Sequence, residues 1–295
     1  EQYYAHYNNG TNYVSLCHLI NYHGRDYYFN GEQEWYRFFL DELNKQYDEN
    51  NVFIADRPLA AQWPVVNMQT AAKKYLWLPT PHAVDPRDQV YSNLNNAYVY
   101  GLHEFLSAWD GVITSTEQQK QDLTQWLGGQ PSVPILTISA AVVSKQQAQH
   151  APISISERHA HEIIYTGRLD AERRVDQLVT AFDQVHHKIT DATLVIYGYG
   201  GELDRLKQQV SQLHLETAVT FAGYQPNLTM AYDQAGAYVY TGESDAQPLS
   251  LIEALSHGVP AIAYDINYGP KDVLKDGKNG YLVTDGAVNQ LVRAL

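Results

Sequence analysis

The chain has 295 residues, 44% of them hydrophobic and 18% charged, with a formal net charge of −13. That length holds two domains of ordinary size, and that composition buries a core. The charge argues against a general nucleic-acid binder, whose affinity rests on cations neutralising phosphates, no apolar run approaches the roughly 18 residues of a membrane span, and the single Cys17 excludes an internal disulfide or a cysteine metal cluster and fits a reducing cytoplasm.

The chain opens on Glu1-Gln2-Tyr3-Tyr4, without an initiator Met or a signal-peptide pattern, and closes inside a helical pattern from Val288 to Arg293. It therefore reads as a fragment cut at both ends. Residues 1–30 alternate aromatic and polar side chains around Asn8-Asn9-Gly10 and His23-Gly24, which predicts a β-hairpin or meander. Glu32 to Gln46 carries Trp35, Phe38, Phe39, Leu40 and Leu43 near helical spacing. Val52–Ala55 and Tyr75–Leu78 read as short buried strands, and a helix from Tyr98 to Trp109 leads into a strand at Gly111–Thr114. Ser115 and Thr116 can cap the next helix, Glu117 to Leu127. Strands separated by helices imply a parallel sheet.

Residues 128–160 are rich in Gly, Pro, Ser, Gln and Ala, with one short strand at Ile135–Ile138, and form the domain boundary. This divides the chain into 1–145 and 146–295, the second part truncated at its C-terminus. In the second part, strands at Ile163–Tyr165, Leu194–Tyr197, Val219–Phe221, Ala237–Tyr240 and Ala261–Tyr264 alternate with helices. The first of those helices puts Val175, Leu178, Val179, Phe182 and Val185 on one face. The expected fold is α/β, with two Rossmann-like domains of which the first is incomplete and carries the N-terminal hairpin or meander. Ligands of such sheets sit beyond the strand C-termini.

Three constellations carry candidate chemistry. Gly167-Arg168-Leu169-Asp170-Ala171-Glu172-Arg173-Arg174 spans a strand-to-helix junction. Two arginines on that turn can clamp a diphosphate beside a helix start, or can pair with Glu172 or Asp176 on a surface turn. Gly198-Tyr199-Gly200-Gly201 permits close backbone approach to a ligand, or is a plain tight turn. Asp245-Ala246-Gln247-Pro248-Leu249-Ser250-Leu251-Ile252-Glu253 sets two carboxylates across a loop and a first helical turn, where acceptor-only groups suit polyol hydroxyls. Alternatively Asp245 is a helix N-cap and Glu253 a surface charge, although the apolar helix makes a solvated Glu253 less comfortable. His82, after the Tyr75–Leu78 strand, faces a sugar or a departing phosphate, or is a satisfied loop histidine. His257 before Gly258 and Pro260 reads as a helix-end cation, and Tyr268-Gly269-Pro270 as a turn without chemistry. Glu157, His159 and His161 alternate but lack a further ligand, so no metal site is expected.

Tyr165 to Phe182, Ile196 to Leu206 and above all Asp245 to Val283 resemble family 4 glycosyltransferases of the GT-B fold. Within that family the chain is most similar to poly(glycerol-phosphate) α-glucosyltransferases of teichoic acid synthesis and to the enzymes that glycosylate serine-rich adhesins. Asp265-Ile266-Asn267-Tyr268-Gly269-Pro270, Asp276-Gly277-Lys278-Asn279-Gly280-Tyr281-Leu282-Val283 and Trp109 to Gln119 carry that finer likeness. The resemblance implies retention of anomeric configuration, a UDP-sugar donor (glucose or N-acetylglucosamine), and no cofactor or essential metal. It implies a teichoic acid or protein hydroxyl as acceptor and a cytoplasmic setting, peripheral to the inner face of the membrane. It places Arg168 and Arg173 on the diphosphate and Asp245 on the sugar hydroxyls, with His82 beside them as the catalytic set. Gly167, Gly198, Tyr224 by the uracil, Leu249 and Ser250 at the helix start, and Glu253 on the ribose form the rest of the donor site. The chain departs from the family pattern at Arg173 (usually Lys), Asp245 (usually Glu), Ala246 (usually Gly) and Pro79, where the subgroup carries a second histidine. The first domain's glycine-rich loop is expected upstream of residue 1. The alternative is a catalytically inactive subunit that partners an active glycosyltransferase.

Overall fold

The structure is a computed structural model, and it describes residues 2–7, 14–48, 50–56, 58–149 and 153–295. Three antiparallel strands come first: β1 (Gln2–Tyr7), β2 (Val14–Tyr22) and β3 (Arg25–Phe29). The β2–β3 turn falls at His23-Gly24, both with positive φ. The turn expected at Asn8-Asn9-Gly10 lies outside the described residues. Helix α1 (Glu32–Gln46) lies against this meander, and Trp35 and Phe38 close over a small core of Val14, Cys17 and Phe29.

The first lobe follows with β4 (Val52–Ala55), α2 (Pro58–Val66) and β5 (Lys73–Leu78), then a helical stretch and β6 (Gly111–Thr114). Helix α4 (Glu117–Trp126) and β7 (Ile135–Thr137) complete a four-stranded parallel sheet in the order β4-β5-β6-β7. As expected, Thr116 caps α4, its hydroxyl accepting from the Gln119 N–H. Helix α2 has no counterpart in the sequence reading, although Pro58 suits a first helical position. The helix expected from Tyr98 to Trp109 is instead a short α3 (Asn96–Tyr98), a π-helical turn at Val99–Glu104 and a 3-10 turn at Leu106–Ala108. Gly101 packs closely against the side-chain ends of Gln62 and Leu76. The Trp109 indole N–H reaches back to the Gly101 carbonyl at 3.2 Å.

Helix α5 (Lys145–Gln149) lies between the two parallel sheets. The second lobe runs β8 (His159–Thr166), α6 (Val175–His186), β9 (Thr193–Tyr197), α7 (Leu203–Gln212), β10 (Val219–Gly223), α8 (Thr229–Gln234), β11 (Ala235–Tyr240), α9 (Leu249–Ser256), β12 (Ala261–Asp265), α10 (Pro270–Val273), β13 (Gly280–Thr284) and α11 (Val288–Ala294). Its parallel sheet has the order β10-β9-β8-β11-β12-β13. The chain thus winds outward from β8 to β10, then returns to the middle at β11. Strands with helices on both sides are buried on both faces, hence their continuous apolar runs. The apolar stripe of α6 lies where its spacing places it: Val175, Leu178, Val179, Phe182 and Val185 are all buried. Each such side chain contributes roughly 1.5–3 kcal/mol.

Among the described residues, four hydrogen bonds from three side chains join the lobes. Gln247 Oε1 accepts from Ser139 Oγ at 2.9 Å and from the Ala140 N–H at 2.8 Å. Asn267 Nδ2 donates to the Pro86 carbonyl at 2.6 Å, and the Tyr268 hydroxyl donates to Asp122 Oδ2 at 2.8 Å. Tyr268, read in the sequence as the start of the turn Tyr268-Gly269-Pro270, thus forms with Asn267 a latch between lobes.

Candidate active site

The reversal of strand order between β8 and β11 opens a crevice at their C-terminal ends, the place where a doubly wound sheet binds ligands. Two adjoining compartments occupy it. The first, of about 370 Å³, lies between the ends of β8 and β9, the β10 exit and the start of α9. The second, of about 290 Å³, reaches from the same β8 end and α9 start across to the first lobe, which contributes Pro79, Ser115 and Ala140. Thr166, Gly167, Arg168, Leu249 and Ser250 wall both.

Most of the residues singled out in the sequence meet here. Gly167, Arg168, Gly198, Tyr224, Leu249, Ser250 and Glu253 line the first compartment. Arg168, Arg173 and Asp245 line the second. Tyr199 and Tyr224, each about two-thirds exposed, stand edge to face at the outer mouth, with ring centroids 6.2 Å apart. Gly198 serves the backbone itself, because a methyl at its positive φ would strike the Gly167 carbonyl oxygen. His82 is not brought to this crevice. It is fully buried in the first lobe beside Trp126, and neither ring nitrogen has a hydrogen-bond partner among the described residues. Burial lowers its pKa to about 4.

The two arginines differ. Arg168 is well exposed and ion-paired within its own loop, to Asp170 and, at 2.7 Å, to Glu172. Pairs this exposed contribute about 0–1 kcal/mol, so a more highly charged anion can displace them. The Tyr165 hydroxyl holds the Arg168 carbonyl at 2.8 Å and fixes the loop. Arg173 is largely buried, and its Nη1 donates to Asp245 Oδ2 at 2.8 Å and to the Tyr240 hydroxyl at 2.9 Å. Burial pulls the Arg173 pKa down, but Tyr240 and Asp245 outweigh it and hold the pKa above the ordinary value. Tyr240 also donates to Asp245 Oδ2 at 3.1 Å, and burial, then Asp245, keep it a protonated phenol. Arg174 is a strut: it holds the Thr241 and Gly242 carbonyls and stacks on Tyr264.

Asp245 does not cap α9. The N-cap position is Pro248, and no side chain caps the helix, so the first-turn N–H groups near Leu249 and Ser250 face the crevice with partial positive charge. Glu253 lies one turn further along the same helix face. Its carboxylate is exposed to the first compartment and accepts from the Tyr232 hydroxyl at 3.2 Å. The solvated position that the apolar helix argued against is the observed one.

Sequence reasoning missed Tyr240, Gln247, Thr166 and Tyr199 as wall residues. Tyr240 and Thr166 end strands of a doubly wound sheet, and that position was the available signal.

Two lobes of parallel α/β structure, joined across a crevice with cationic and helix-start groups on one side, form the GT-B architecture. Residues 152–295 match the family described as glycosyl transferases group 1. The chain is 30% identical over 265 residues to the UDP-N-acetylglucosamine–peptide N-acetylglucosaminyltransferase GtfA subunit of Streptococcus gordonii, covering 88% of this chain and 50% of that protein. It is 25% identical to the poly(glycerol-phosphate) alpha-glucosyltransferase of Bacillus subtilis, over 98% of this chain and 42% of that one. A crystal structure of an S. aureus TarM mutant in complex with fondaparinux, alpha-GlcNAc-glycerol and UDP superposes with a TM-score of 0.81 at 25% identity. It covers 99% of this chain and 58% of that chain. The resemblance read in the sequence thus extends to named relatives of both kinds, and the chain spans about half the length of those curated relatives.

Proposed function

We propose that the chain carries the donor site of a retaining, metal-independent glycosyltransferase. It moves a hexose, glucose or N-acetylglucosamine, from a UDP-sugar to a hydroxyl of a teichoic acid or of a serine-rich surface protein. The observation that carries this reading is the convergence of Arg168, Arg173 and the uncapped start of α9 on one crevice, with a carboxylate at each end. The spacing suits the ligand. Tyr199 and Tyr224 flank the base, Glu253 accepts from ribose hydroxyls, the cations and helix N–H groups meet the diphosphate, and Asp245 accepts from the sugar.

In the transfer, the bond from the anomeric carbon to the β-phosphate oxygen breaks and a bond to the acceptor oxygen forms. The acceptor's proton leaves towards the departing diphosphate. Negative charge grows on the leaving oxygen, where Arg168, released from its loop carboxylates, Arg173 and the α9 N–H groups can meet it. No helix among the described residues is long and apolar enough to cross a membrane, and we place the enzyme in the cytoplasm, peripheral to the inner face of the membrane. The net charge of −13 favours a neutral protein hydroxyl over a polyanion unless the acceptor groove is locally basic. Binding of a polyanion weakens steeply with salt, and binding of a peptide does not.

The test is Arg168→Ala in the full-length protein, read as hexose transfer from UDP-glucose and UDP-N-acetylglucosamine. Transfer falls on the order of 100-fold with the fold intact. Unchanged turnover removes the proposal. A second reading, an inactive subunit that supports a partner transferase, draws on the departures at Asp245 and Ala246 and on the word "subunit" in a relative's name. An absent thermal shift with millimolar UDP favours that reading.

A further inference from the structure

We propose that Gln247 reads the transferred sugar, and that it is oriented to do so by the docking of the first lobe. The inference rests on the UDP-sugar reading and adds to it a residue that the sequence motifs did not single out. Gln247 is buried, 8% exposed, in the wall of the second compartment. Its Oε1 accepts from Ser139 Oγ and from the Ala140 N–H, both in the segment that leaves β7. A backbone N–H can only donate, so the oxygen end of the amide must face Ala140 and the nitrogen end must face away. That Nε2 donates to no acceptor among the described residues, and it is not sealed from solvent as the buried unpartnered atoms are, so it opens into the compartment. Two N–H donors are therefore left in a largely buried side chain, an arrangement that a ligand or water must complete.

The neighbouring group makes the ligand class specific. The Gln247 backbone N–H donates to Asp245 Oδ1 at 3.2 Å, so an acceptor-only carboxylate and a donor-only amide nitrogen belong to one short loop in one compartment. Hydroxyls that each donate and accept, as on adjacent carbons of a pyranose, match that pairing. UDP alone does not need Gln247, because Arg168, Glu253 and the helix start belong to the other compartment or to the wall shared with it. Separation of the lobes removes Ser139 and Ala140 from the amide, which then loses its fixed orientation. Sugar recognition and lobe docking are thereby coupled through one side chain.

Calorimetric titration with UDP, UDP-glucose and UDP-N-acetylglucosamine tests this on the chain as it stands. Gln247→Glu keeps an oxygen for Ser139 and Ala140 and replaces the donors with an acceptor. Gln247→Met removes both ends. Ser139→Ala weakens only the tether. The expected result is UDP affinity within about twofold of the parent for all three. Affinity for either UDP-hexose falls about tenfold in Gln247→Glu and Gln247→Met, and about threefold in Ser139→Ala. Gln247→Glu that binds UDP and UDP-hexose as the parent does overturns the proposal. Equal losses for UDP and UDP-hexose overturn it too, because the side chain then acts on the fold or on the phosphates. A parent chain that binds no UDP overturns the nucleotide-sugar reading itself, a separate outcome. Matching thermal unfolding curves check that the variants fold.

Discussion

The two lobes contribute to the crevice in different currencies. Every charged side chain that lines the two compartments, Arg168, Arg173, Asp245 and Glu253, comes from the second lobe. The first lobe offers Pro79, Ser115 and Ala140, which carry no charge. The second lobe also holds the larger continuous core, built on six strands against four. The difference teaches that the charge of the crevice belongs to one lobe and rests on the larger sheet, whereas the first lobe contributes uncharged wall. Among the described residues, the direct hydrogen bonds between the lobes come from Gln247, Asn267 and Tyr268.

The comparison breaks most readily at Arg173. Arg173→Ala leaves the largely buried Asp245 without its cation but with the Tyr240 hydroxyl and the Gln247 N–H as partners, and costs on the order of 2 kcal/mol. Arg168→Ala removes an exposed guanidinium and costs within about 0.5 kcal/mol. Urea unfolding of the two variants reads the contrast directly. Equal destabilisation means that the exposed arginine is a structural member of its loop, and the division between binding and support within the second lobe fails.

A pH-dependent effect belongs to the first lobe. His82 has an ordinary pKa of 6.5, which burial lowers to about 4. Above pH 6.5 the ring is neutral in both folded and unfolded chains and has no influence on the balance. As pH falls from 6.5 towards 4, the unfolded chain takes up a proton that the folded chain refuses, so stability declines, and below 4 the decline levels off. The full loss approaches about 3 kcal/mol. His82→Leu should flatten this part of the profile when unfolding is measured at pH 7 and pH 4.5. An unchanged profile means that His82 reaches water before the lobe unfolds.

How far the sequence disclosed all this varies with the same division. The second lobe's strands were readable because parallel strands covered on both faces are apolar throughout, as in Leu194–Tyr197. Strand β13 escaped notice because it lies at the sheet edge with Tyr281 half exposed, and the turn residues before it dominated the pattern. In the first lobe, Tyr98 and Leu102 have helical spacing and are buried, yet the chain takes a π-helical turn at Val99–Glu104 that no local pattern announces. At the site, Arg168 and Glu253 stood out by their place beside turns and a helix start. Tyr240 and Gln247 did not. Tyr240 meets Arg173 across 67 positions of chain, and Gln247 meets Ser139 across 108, so their roles exist only once the strands are assembled.

The finest test of the comparison is Tyr268→Phe, which removes one oxygen from the interface between lobes. The Tyr268 hydroxyl is held as a neutral donor, since burial and then Asp122 raise its pKa. Its bond to Asp122 is one of the few direct links between lobes. Asp122 keeps Gln118 Nε2 as a partner at 2.8 Å, so the carboxylate is not stranded and the cost stays near 1.5 kcal/mol, the low end for a bond to a charged group. That cost falls on docking and not on either core. Hydrogen exchange should therefore quicken in α4 and in residues 79–86, while the amides of β8, β9 and β11 keep their protection. UDP affinity should hold while transfer declines, because the donor's charged contacts all lie on one side of the crevice. If the β8 amides quicken as much as those of α4, the lobes open as a single cooperative unit. The separation of charge from closure would then describe only where residues sit, not how the molecule works.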